Sequence, residues 1–305
     1  MISSFLIPFI LSLVSVPIFG YIAKKLNIVD KPDNYLKPHG KATPYLGGLG
    51  IYVGLLPILW KSTAILLPAS FLLTIGLTDD IFSLSPKLRL LIEFISAALI
   101  IIAFHIRGIW MILYIFGIVA MINAVNMIDG MDGICGGNVA ISSLFFFIIS
   151  QDPFTKELSL AVLGASLGYL IYNFPPARIF MGDAGSYLLG VSLAILYTLS
   201  SRPIPSTKML VSIFPLWIYI LDLIAGVVRR LRNRRNPFEG DRDHIYDKLK
   251  RRIGSTRKVV ICTYIINAAF SALVFLSPFV GMVLAILFSV ALIRLLNMFG
   301  YDQQT

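Results

Sequence analysis

The sequence predicts an all-α, polytopic membrane protein with about 10–11 transmembrane helices, and two observations support this class. Of its 305 residues, 57% are hydrophobic and only 14% are charged, a balance unlike that of soluble domains. Apolar runs of about 15–22 residues recur along the whole length, close to the ~20 residues that a helix needs to cross a bilayer. A large soluble helical core is excluded, because almost no polar helix faces remain.

The apolar runs define eleven spans, at about 2–20, 44–60, 62–78, 88–104, 109–122, 138–150, 158–172, 186–200, 209–230, 258–275 and 279–296. The fifth and sixth spans are short, so an interfacial helix could replace either one. We expect one transmembrane domain, 1–305, with cytoplasmic loops at about 21–43, 79–88, 123–137, 173–185 and 231–257.

The basic residues predict an N-terminus outside the cell and a cytoplasmic C-terminus. With this orientation, 21 of the 26 Lys and Arg residues fall in cytoplasmic segments, as the positive-inside rule requires. The first span carries its charges after the apolar stretch, so it is expected to be a retained anchor rather than a cleaved signal peptide. This bias also explains most of the net charge of +10 without a nucleic-acid partner. The basic run at 229–235 is interpreted as a helix end anchored on anionic headgroups or as a docking surface for anionic substrates.

Four clusters of acidic residues lie at the ends of spans, and the predicted topology places all of them on the cytoplasmic face. A carboxylate beside lipid is costly, so several that converge indicate a polar site rather than packing. Such a site suits a divalent cation and a phosphate-bearing substrate. The clusters contain Asp79 and Asp80, then Asp129 and Asp132, then Asp183, and finally Asp241 and Asp243.

The pair Asp79-Asp80 follows the third span and precedes Lys87 and Arg89. Adjacent carboxylates repel each other, and a cation or a shared proton relieves the repulsion. One of them could ligate Mg²⁺ while the other takes a proton from, or orients, an attacking group. The alternative is structural, namely helix capping together with a salt bridge to Lys87 or Arg89.

The segment at 123–133 reads Asn-Ala-Val-Asn-Met-Ile-Asp-Gly-Met-Asp-Gly. Asn123, Asn126 and Asp129 are three residues apart, so a helix would present them on one face. The glycines that follow would end that helix. With Asp132, these carboxylates and amides suit a metal or a nucleobase and sugar, and a solvated turn is the alternative.

Asp183 lies among glycines just before the eighth span. Glycines at a helix start let an oxyanion approach the backbone closely. Mg²⁺ typically uses one or two carboxylates plus substrate phosphate, which makes Asp183 a candidate ligand. An N-cap role is the alternative. Phe180 could stack on a base or lie in the core.

The cytoplasmic loops also carry candidate phosphate ligands. His244 could hydrogen-bond a phosphate, and Arg242 could grip one with its guanidinium group. The alternative is a solvated loop that runs into a short helix at 247–252. Lys37 and His39 lie in an earlier loop on the same predicted face.

In this order, the segments resemble the polyprenyl-phosphate N-acetylhexosamine-1-phosphate transferase family over roughly 37–250. The matching motifs are the Asp-Asp segment that ends in Lys87 and Arg89, Asn-x-x-Asn-x-x-Asp-Gly-x-Asp-Gly, Phe-Met-Gly-Asp-x-Gly-Ser, and Asp-Arg-x-His-Ile. The resemblance implies a site on the cytoplasmic side of the bacterial inner membrane. It implies that undecaprenyl phosphate attacks the β-phosphate of a UDP-amino sugar and releases UMP, with Mg²⁺, or Mn²⁺ in its place, as cofactor.

The resemblance also implies roles for individual residues. Asp183 is expected to ligate Mg²⁺ with help from Asn126. Asp79 is expected to deprotonate or orient the lipid phosphate, supported by Asp80. The expected substrate contacts are Phe180 on uracil, Asp129 and Asp132 on the nucleoside or sugar, and His244 and Arg242 on the sugar-phosphate, with Lys37, His39 and Lys87 as further substrate-binding candidates.

The identity of the amino sugar stays open, because relatives that use UDP-N-acetylglucosamine typically carry His-Ile-His-His where this chain has His244-Ile-Tyr246-Asp247. N-acetylglucosamine is the first choice, since the other segments fit the branch that starts O-antigen or teichoic-acid linkage units. The muramoyl-pentapeptide branch ranks lower because its histidine-rich loop is absent. A phosphatidyl-alcohol transferase is disfavoured because Ala-Arg does not follow the first Asp-Gly, and a transporter because the acids lie at loop edges rather than at the midplane. The expected partners are the two substrates and the bilayer, and a homodimer is compatible with the sequence.

Overall fold

The computed structural model describes residues 1–30, 42–236 and 240–301, which are almost entirely helical. A short antiparallel ladder joins β1 (Val29–Asp30) to β2 (Thr43–Pro44). Short 3₁₀ turns connect α9 to α10 and extend α12. The helices are α1 (Ile2–Lys25), α2 (Gly47–Leu59), α3 (Thr63–Phe82), α4 (Pro86–Ala103), α5 (Ile109–Ile128), α6 (Ile134–Ile149), α7 (Pro153–Asn173), α8 (Gly182–Ser200), α9 (Lys208–Ile213), α10 (Trp217–Arg232), α11 (Ile245–Ile253), α12 (Thr256–Ala272) and α13 (Pro278–Leu296).

The predicted all-α, polytopic membrane class is confirmed. Within the described residues, eight helical segments are long and apolar enough to cross a membrane, and Lys208–Arg232 counts as one of them. Helices α2 and α6 are apolar but shorter, and α4 has 18 residues but carries three charged side chains. Each predicted span therefore corresponds to a helical segment. The outward placement of the N-terminus stays a prediction.

Some helices begin at different residues from those predicted, because capping side chains fix where they start. Helix α7 begins five residues early, because Asp152 accepts a hydrogen bond from the backbone N–H of Thr155 at 2.7 Å and a proline occupies the first helical position. Ser85 and the proline after it start α4 in the same way. Helix α5 continues to Ile128, so Asn126 lies on the helix, as its spacing predicts.

Helix α8 is central in the fold, and every residue from 184 to 196 is buried. It packs against α2, α3, α5, α6 and α7. Two of these contacts depend on glycine: a Cβ on Gly76 would collide with the backbone at Ala184, and a Cβ on Gly190 would lie 2.8 Å from the Cα of Ile122. Membrane helices commonly approach one another through such small residues.

These two close contacts determine where the predicted site lies. Asp79 and Asp80 follow the α3 glycine by about one helical turn, and Asp183 is adjacent to the alanine that this glycine touches. Asn126 is likewise one turn beyond the α5 residue in contact with α8. Close packing of α3, α5 and α8 therefore brings the ends of three motifs together.

Candidate active site

Asp79, in the last turn of α3, has a buried carboxylate with three partners. One oxygen lies 2.8 Å from Nε of Arg89 and accepts a hydrogen bond from the Tyr187 hydroxyl at 3.3 Å. The other oxygen accepts the backbone N–H of Leu84 at 2.7 Å. The Asp79 side chain is 1% exposed and that of Arg89 is 32% exposed. The salt bridge that was the structural alternative is therefore present, and it holds the guanidinium group at the edge of the site.

Asp80 caps the N-terminus of α8. Its two carboxylate oxygens accept the backbone N–H groups of Asp183 at 2.9 Å and of Ala184 at 3.3 Å. These N–H groups belong to the first turn, where a helix has no internal acceptors and favours a negative charge. Gly182 has φ +70°, and a Cβ there would collide with the Asp80 carboxylate. The cap therefore requires glycine at 182.

Asp183 and Asn126 meet in front of this cap. The Asn126 amide nitrogen donates to one carboxylate oxygen of Asp183 at 2.9 Å and to the Ser186 hydroxyl at 2.9 Å. The second Asp183 oxygen lies 3.8 Å from Nη1 of Arg89, and the side chain is 33% exposed. Asp183 thus presents a carboxylate oxygen where the ends of α3, α4, α5 and α8 converge.

Asp129 and Asp132 lie in the turn between α5 and α6. Asp132 accepts the backbone N–H of Ala177 at 2.8 Å. The Asp129 side chain is half-buried and makes no hydrogen bond or ion pair with any described residue. Burial, together with the negative charge of the acids around it, raises the pKa of Asp129 well above its usual range. A cation or a hydroxyl donor would stabilise a carboxyl group in this environment.

The charges of this region fit a divalent cation that shares its coordination with substrate. The guanidinium group of Arg89 lies beside the carboxylates of Asp79 and Asp183, and Asp80 and Asp129 add acidic groups near Asp183. In the part of the chain that the structure describes, no three His, Cys, Asp or Glu side chains form a set that would hold a metal alone. Mg²⁺ usually takes one or two carboxylates and completes its shell with water and phosphate oxygens. Asp183 and the amide oxygen of Asn126 would hold the ion.

His244 lies in a buried ion network beside α10. Its Nδ1 is 2.6 Å from Asp222 and its Nε2 is 3.4 Å from Asp241. Asp241 is bound in turn by the buried guanidinium group of Arg229 at 2.7 Å. Although burial opposes the charged imidazole, the facing carboxylates raise the pKa of His244. Both ring nitrogens therefore face the protein, and the substrate role expected for His244 stays a prediction.

The basic run at the end of α10 packs against the C-terminal segment of the chain. Arg232 lies 5.1 Å from the ring centre of Phe299, and Arg235 lies 4.5 Å from that of Tyr301. Arg229 donates to a backbone carbonyl of this segment at 2.9 Å. The two interpretations of this run were headgroup anchoring and a docking surface for anionic substrates. Neither of them anticipated these contacts within the chain.

Of the remaining predicted site residues, three lie within the described residues and two lie outside them. Phe180 is half-buried, and its backbone is hydrogen-bonded to the segment that leads into α2. Lys87 is exposed at the start of α4, and Arg242 is exposed just before α11. Lys37 and His39 lie outside the described residues. The substrate contacts assigned to these five residues stay predictions.

Two features of the site were not predicted. Tyr187 lies four residues after Asp183, and this spacing on one helix face could have indicated it. The second feature is buried Glu93, which accepts a hydrogen bond from Asn123. Asn123 therefore reaches a different acid from Asn126, although both lie on one face of α5.

Comparisons with known protein sequences show which proteins this chain resembles. A sequence profile described as glycosyl transferase family 4 matches residues 62–201. A probable undecaprenyl-phosphate N-acetylglucosaminyl 1-phosphate transferase of Bacillus subtilis (strain 168) is 32% identical over 93% of this chain and 87% of its own length. Undecaprenyl-phosphate alpha-N-acetylglucosaminyl 1-phosphate transferases of Thermotoga maritima and of Escherichia coli (strain K12) are 31% and 30% identical. These matches cover 83% of this chain and 83% of the Thermotoga protein, and 79% of this chain and 74% of the Escherichia protein.

Proposed function

This chain belongs to glycosyl transferase family 4, as a polyprenyl-phosphate sugar-1-phosphate transferase, and we propose that it moves N-acetylglucosamine 1-phosphate from UDP-N-acetylglucosamine to undecaprenyl phosphate. The observation that carries the proposal is the convergence of Asp79, Asp80, Asp183 and Asn126 where four helices end. A cluster of acids at a membrane boundary suits a cation-assisted reaction of phosphates. The reaction would take place on the cytoplasmic face of a bacterial inner membrane.

The proposed reaction exchanges one phosphoanhydride bond for another. An oxygen of the lipid phosphate attacks the β-phosphorus of the UDP-sugar, and a new P–O–P bond forms. The bond between the β-phosphorus and the oxygen it shares with the α-phosphate breaks, and UMP leaves with that oxygen. The sugar stays on the β-phosphate as undecaprenyl-diphospho-N-acetylglucosamine. When bound, Mg²⁺ would offset the negative charge of the diphosphate.

Arg89 and Asp183 face the reacting phosphates in this proposal. Asp183 and Asn126 hold the side of the site where the cation binds. The Arg89 guanidinium group, fixed by Asp79 and Tyr187, is directed at phosphate oxygens, with which arginine forms strong charge-assisted hydrogen bonds. The near-complete enclosure of Asp79 favours its orienting role over direct proton transfer. A phosphate monoester loses its second proton at about pH 6, so at neutral pH a base is helpful rather than obligatory.

Asp80 and the acids of the α5–α6 turn complete the proposed site. Asp80 keeps the first turn of α8 in place, and Asp183 is part of that turn. Asp129 lacks a partner among the described residues and would accept hydrogen bonds from hydroxyl groups of the nucleotide sugar. Phe180 would stack on uracil, and the lipid tail would lie in an apolar groove between helices.

The proposal is tested with the purified full-length protein in detergent. Undecaprenyl phosphate, Mg²⁺ and one member of a panel of UDP-sugars are supplied, and UMP release is measured. We expect UMP with UDP-N-acetylglucosamine and little with UDP-glucose or with UDP-N-acetylmuramoyl-pentapeptide. Preference for another sugar would refute the substrate, and no UMP from any sugar would refute the reaction. Activity that survives EDTA undiminished would refute the metal requirement separately.

A further inference from the structure

Two tyrosine hydroxyl groups hold the backbone at the two ends of the acidic turn, which we define as residues 129–132. The hydroxyl of Tyr246, on α11, donates to the carbonyl of Met127 at 3.2 Å. The hydroxyl of Tyr264, on α12, donates to the carbonyl of Gly133 at 2.6 Å. The turn between α5 and α6 is therefore clamped by two elements that come much later in the chain.

Each tyrosine lies against a glycine that leaves it room. A Cβ on Gly130 would overlap the hydroxyl of Tyr246, and a Cβ on Gly137 would overlap that of Tyr264. In both cases the three nearest atoms would all belong to that tyrosine. The two hydrogen bonds thus depend on matched pairs, each formed by one tyrosine and one glycine.

The Tyr246 hydrogen bond gives a partner to a carbonyl at a helix end, whereas the Gly133 carbonyl accepts both the Tyr264 hydroxyl and the backbone N–H of Gly137. The carbonyl of Met127 is among the last four of α5, which have no N–H partner within the helix. Tyr246 is buried, and its ring stacks on His244 with centroids 5.5 Å apart and an interplanar angle of 10°. The acidic turn is therefore linked through Tyr246 to the ion network beside α10.

Asp129 depends on this clamp for its position. Its carboxylate has no hydrogen-bond or ion-pair partner among the described residues, and other acids lie close to it. Like charges repel, so these acids do not hold the Asp129 carboxylate in place. Within the described residues, its position therefore follows from the backbone of the turn.

We propose that Tyr246 and Tyr264 are positioning residues that hold the acidic turn so that Asp129 meets the nucleotide sugar. This inference rests on the proposed function. It predicts that losing either hydroxyl weakens the use of the UDP-sugar while sparing the lipid substrate, because the lipid phosphate would meet Arg89 and Asp183 instead. A purely structural role would lower stability or kcat without a selective rise in KM for the UDP-sugar.

The test compares the full-length Y246F and Y264F proteins in detergent with the wild type and with Y52F. The Tyr52 hydroxyl is 2.6 Å from that of Ser70, in a contact between α2 and α3, so Y52F removes a comparable interhelical hydrogen bond elsewhere. We expect KM for UDP-N-acetylglucosamine to rise about two- to tenfold in each turn variant, which corresponds to one ordinary hydrogen bond. We expect kcat and KM for undecaprenyl phosphate to stay within about twofold, and Y52F to leave all three values unchanged.

A double-mutant cycle tests the contact itself. We expect G130A to raise KM for the UDP-sugar because its methyl group displaces Tyr246. The G130A/Y246A protein should show a smaller increase than the product of the two single effects, since the methyl group then enters vacated space. Kinetics of Y246F and Y264F that match Y52F would overturn the positioning role alone, as would a loss confined to kcat. A wild type that releases no UMP would refute the proposed function and this inference together.

Discussion

The salt bridge between Asp79 and Arg89 allows a quantitative prediction for D79N. Asparagine keeps an oxygen for the backbone N–H of Leu84, which Asp79 accepts at 2.7 Å. It cannot neutralise Arg89, whose Nε lies 2.8 Å from the carboxylate. We expect the variant to fold, with a guanidinium group that is no longer fixed at the edge of the site.

The exposure of the pair sets the expected loss of unfolding free energy, and the lost contact with phosphate sets the expected loss of activity. Breaking a fully buried ion pair costs about 3–5 kcal/mol, but the Arg89 side chain is 32% exposed and can reach water. We therefore expect the free energy of unfolding to fall by about 1–2 kcal/mol, between the values for exposed and buried pairs. A misplaced guanidinium group would forfeit a charge-assisted hydrogen bond to phosphate of about 1.5–3 kcal/mol, which corresponds to a decrease in kcat/KM of about 10- to 150-fold.

The assay is UMP release in detergent, with thermal unfolding measured on the same preparations. The matched control is E157Q, which removes a carboxylate from the Lys61–Glu157 pair. Its charged atoms are 2.7 Å apart, against 2.8 Å for Asp79 and Arg89, but its side chains are 53% and 32% exposed. Such a pair contributes about 0–1 kcal/mol, so we expect E157Q to match the wild type in both measurements. A D79N protein with kcat/KM within about threefold of the wild type would show that Asp79 does not position Arg89 for transfer.

Three further predictions concern the metal, a glycine and pH. D183N should lose transfer and show no thermal stabilisation by Mg²⁺ with UDP, whereas the wild type is stabilised by ligands that bind only its folded state. G182A should lose most activity because its methyl group meets the carboxylate that caps α8, while G117A, where a Cβ meets nothing within 4 Å, should remain active. The facing Asp222 carboxylate raises the pKa of His244 above 6.5 despite burial. The resulting stabilisation is complete below pH 6.5 and is lost as pH rises through the folded-state pKa, so the unfolding temperature should fall above pH 6.5 in the wild type and fall less in H244Q.

The membrane architecture could be predicted because hydrophobic length is a local property of the sequence. Each apolar run became a helical segment, and errors arose only at the ends. There, Asp152 and Ser85 start helices through side-chain caps that a hydropathy window does not register. Helix α5 likewise continues beyond its apolar run and carries Asn126 to the site, as the three-residue spacing predicted.

The different contacts that the acids make could not be predicted, because these contacts depend on helix packing. The sequence presents Asp79 and Asp80 as an equivalent pair. Packing of α8 against α3 places Asp80 under the N-terminus of α8, and the start of α4 places Arg89 beside Asp79. The pairing of His244 could not be predicted for the same reason, since its partner Asp222 lies on a transmembrane helix 22 residues earlier.

Close helix packing and the chemistry of the site are thus linked by the same residues. The glycine contact at Gly76 lets α3 and α8 approach until the carboxylate of Asp80 reaches the first N–H groups of α8. That approach also forces Asp183 close to Asp79 and Asp80, whose negative charges Arg89 balances only in part. A fold that needed stability alone would not gather these charges at a boundary with lipid, where desolvation penalises them. In the proposed reaction, a cation that arrives with the diphosphate would offset this excess of negative charge, so the packing that costs stability in the free protein would prepare the site for its substrate.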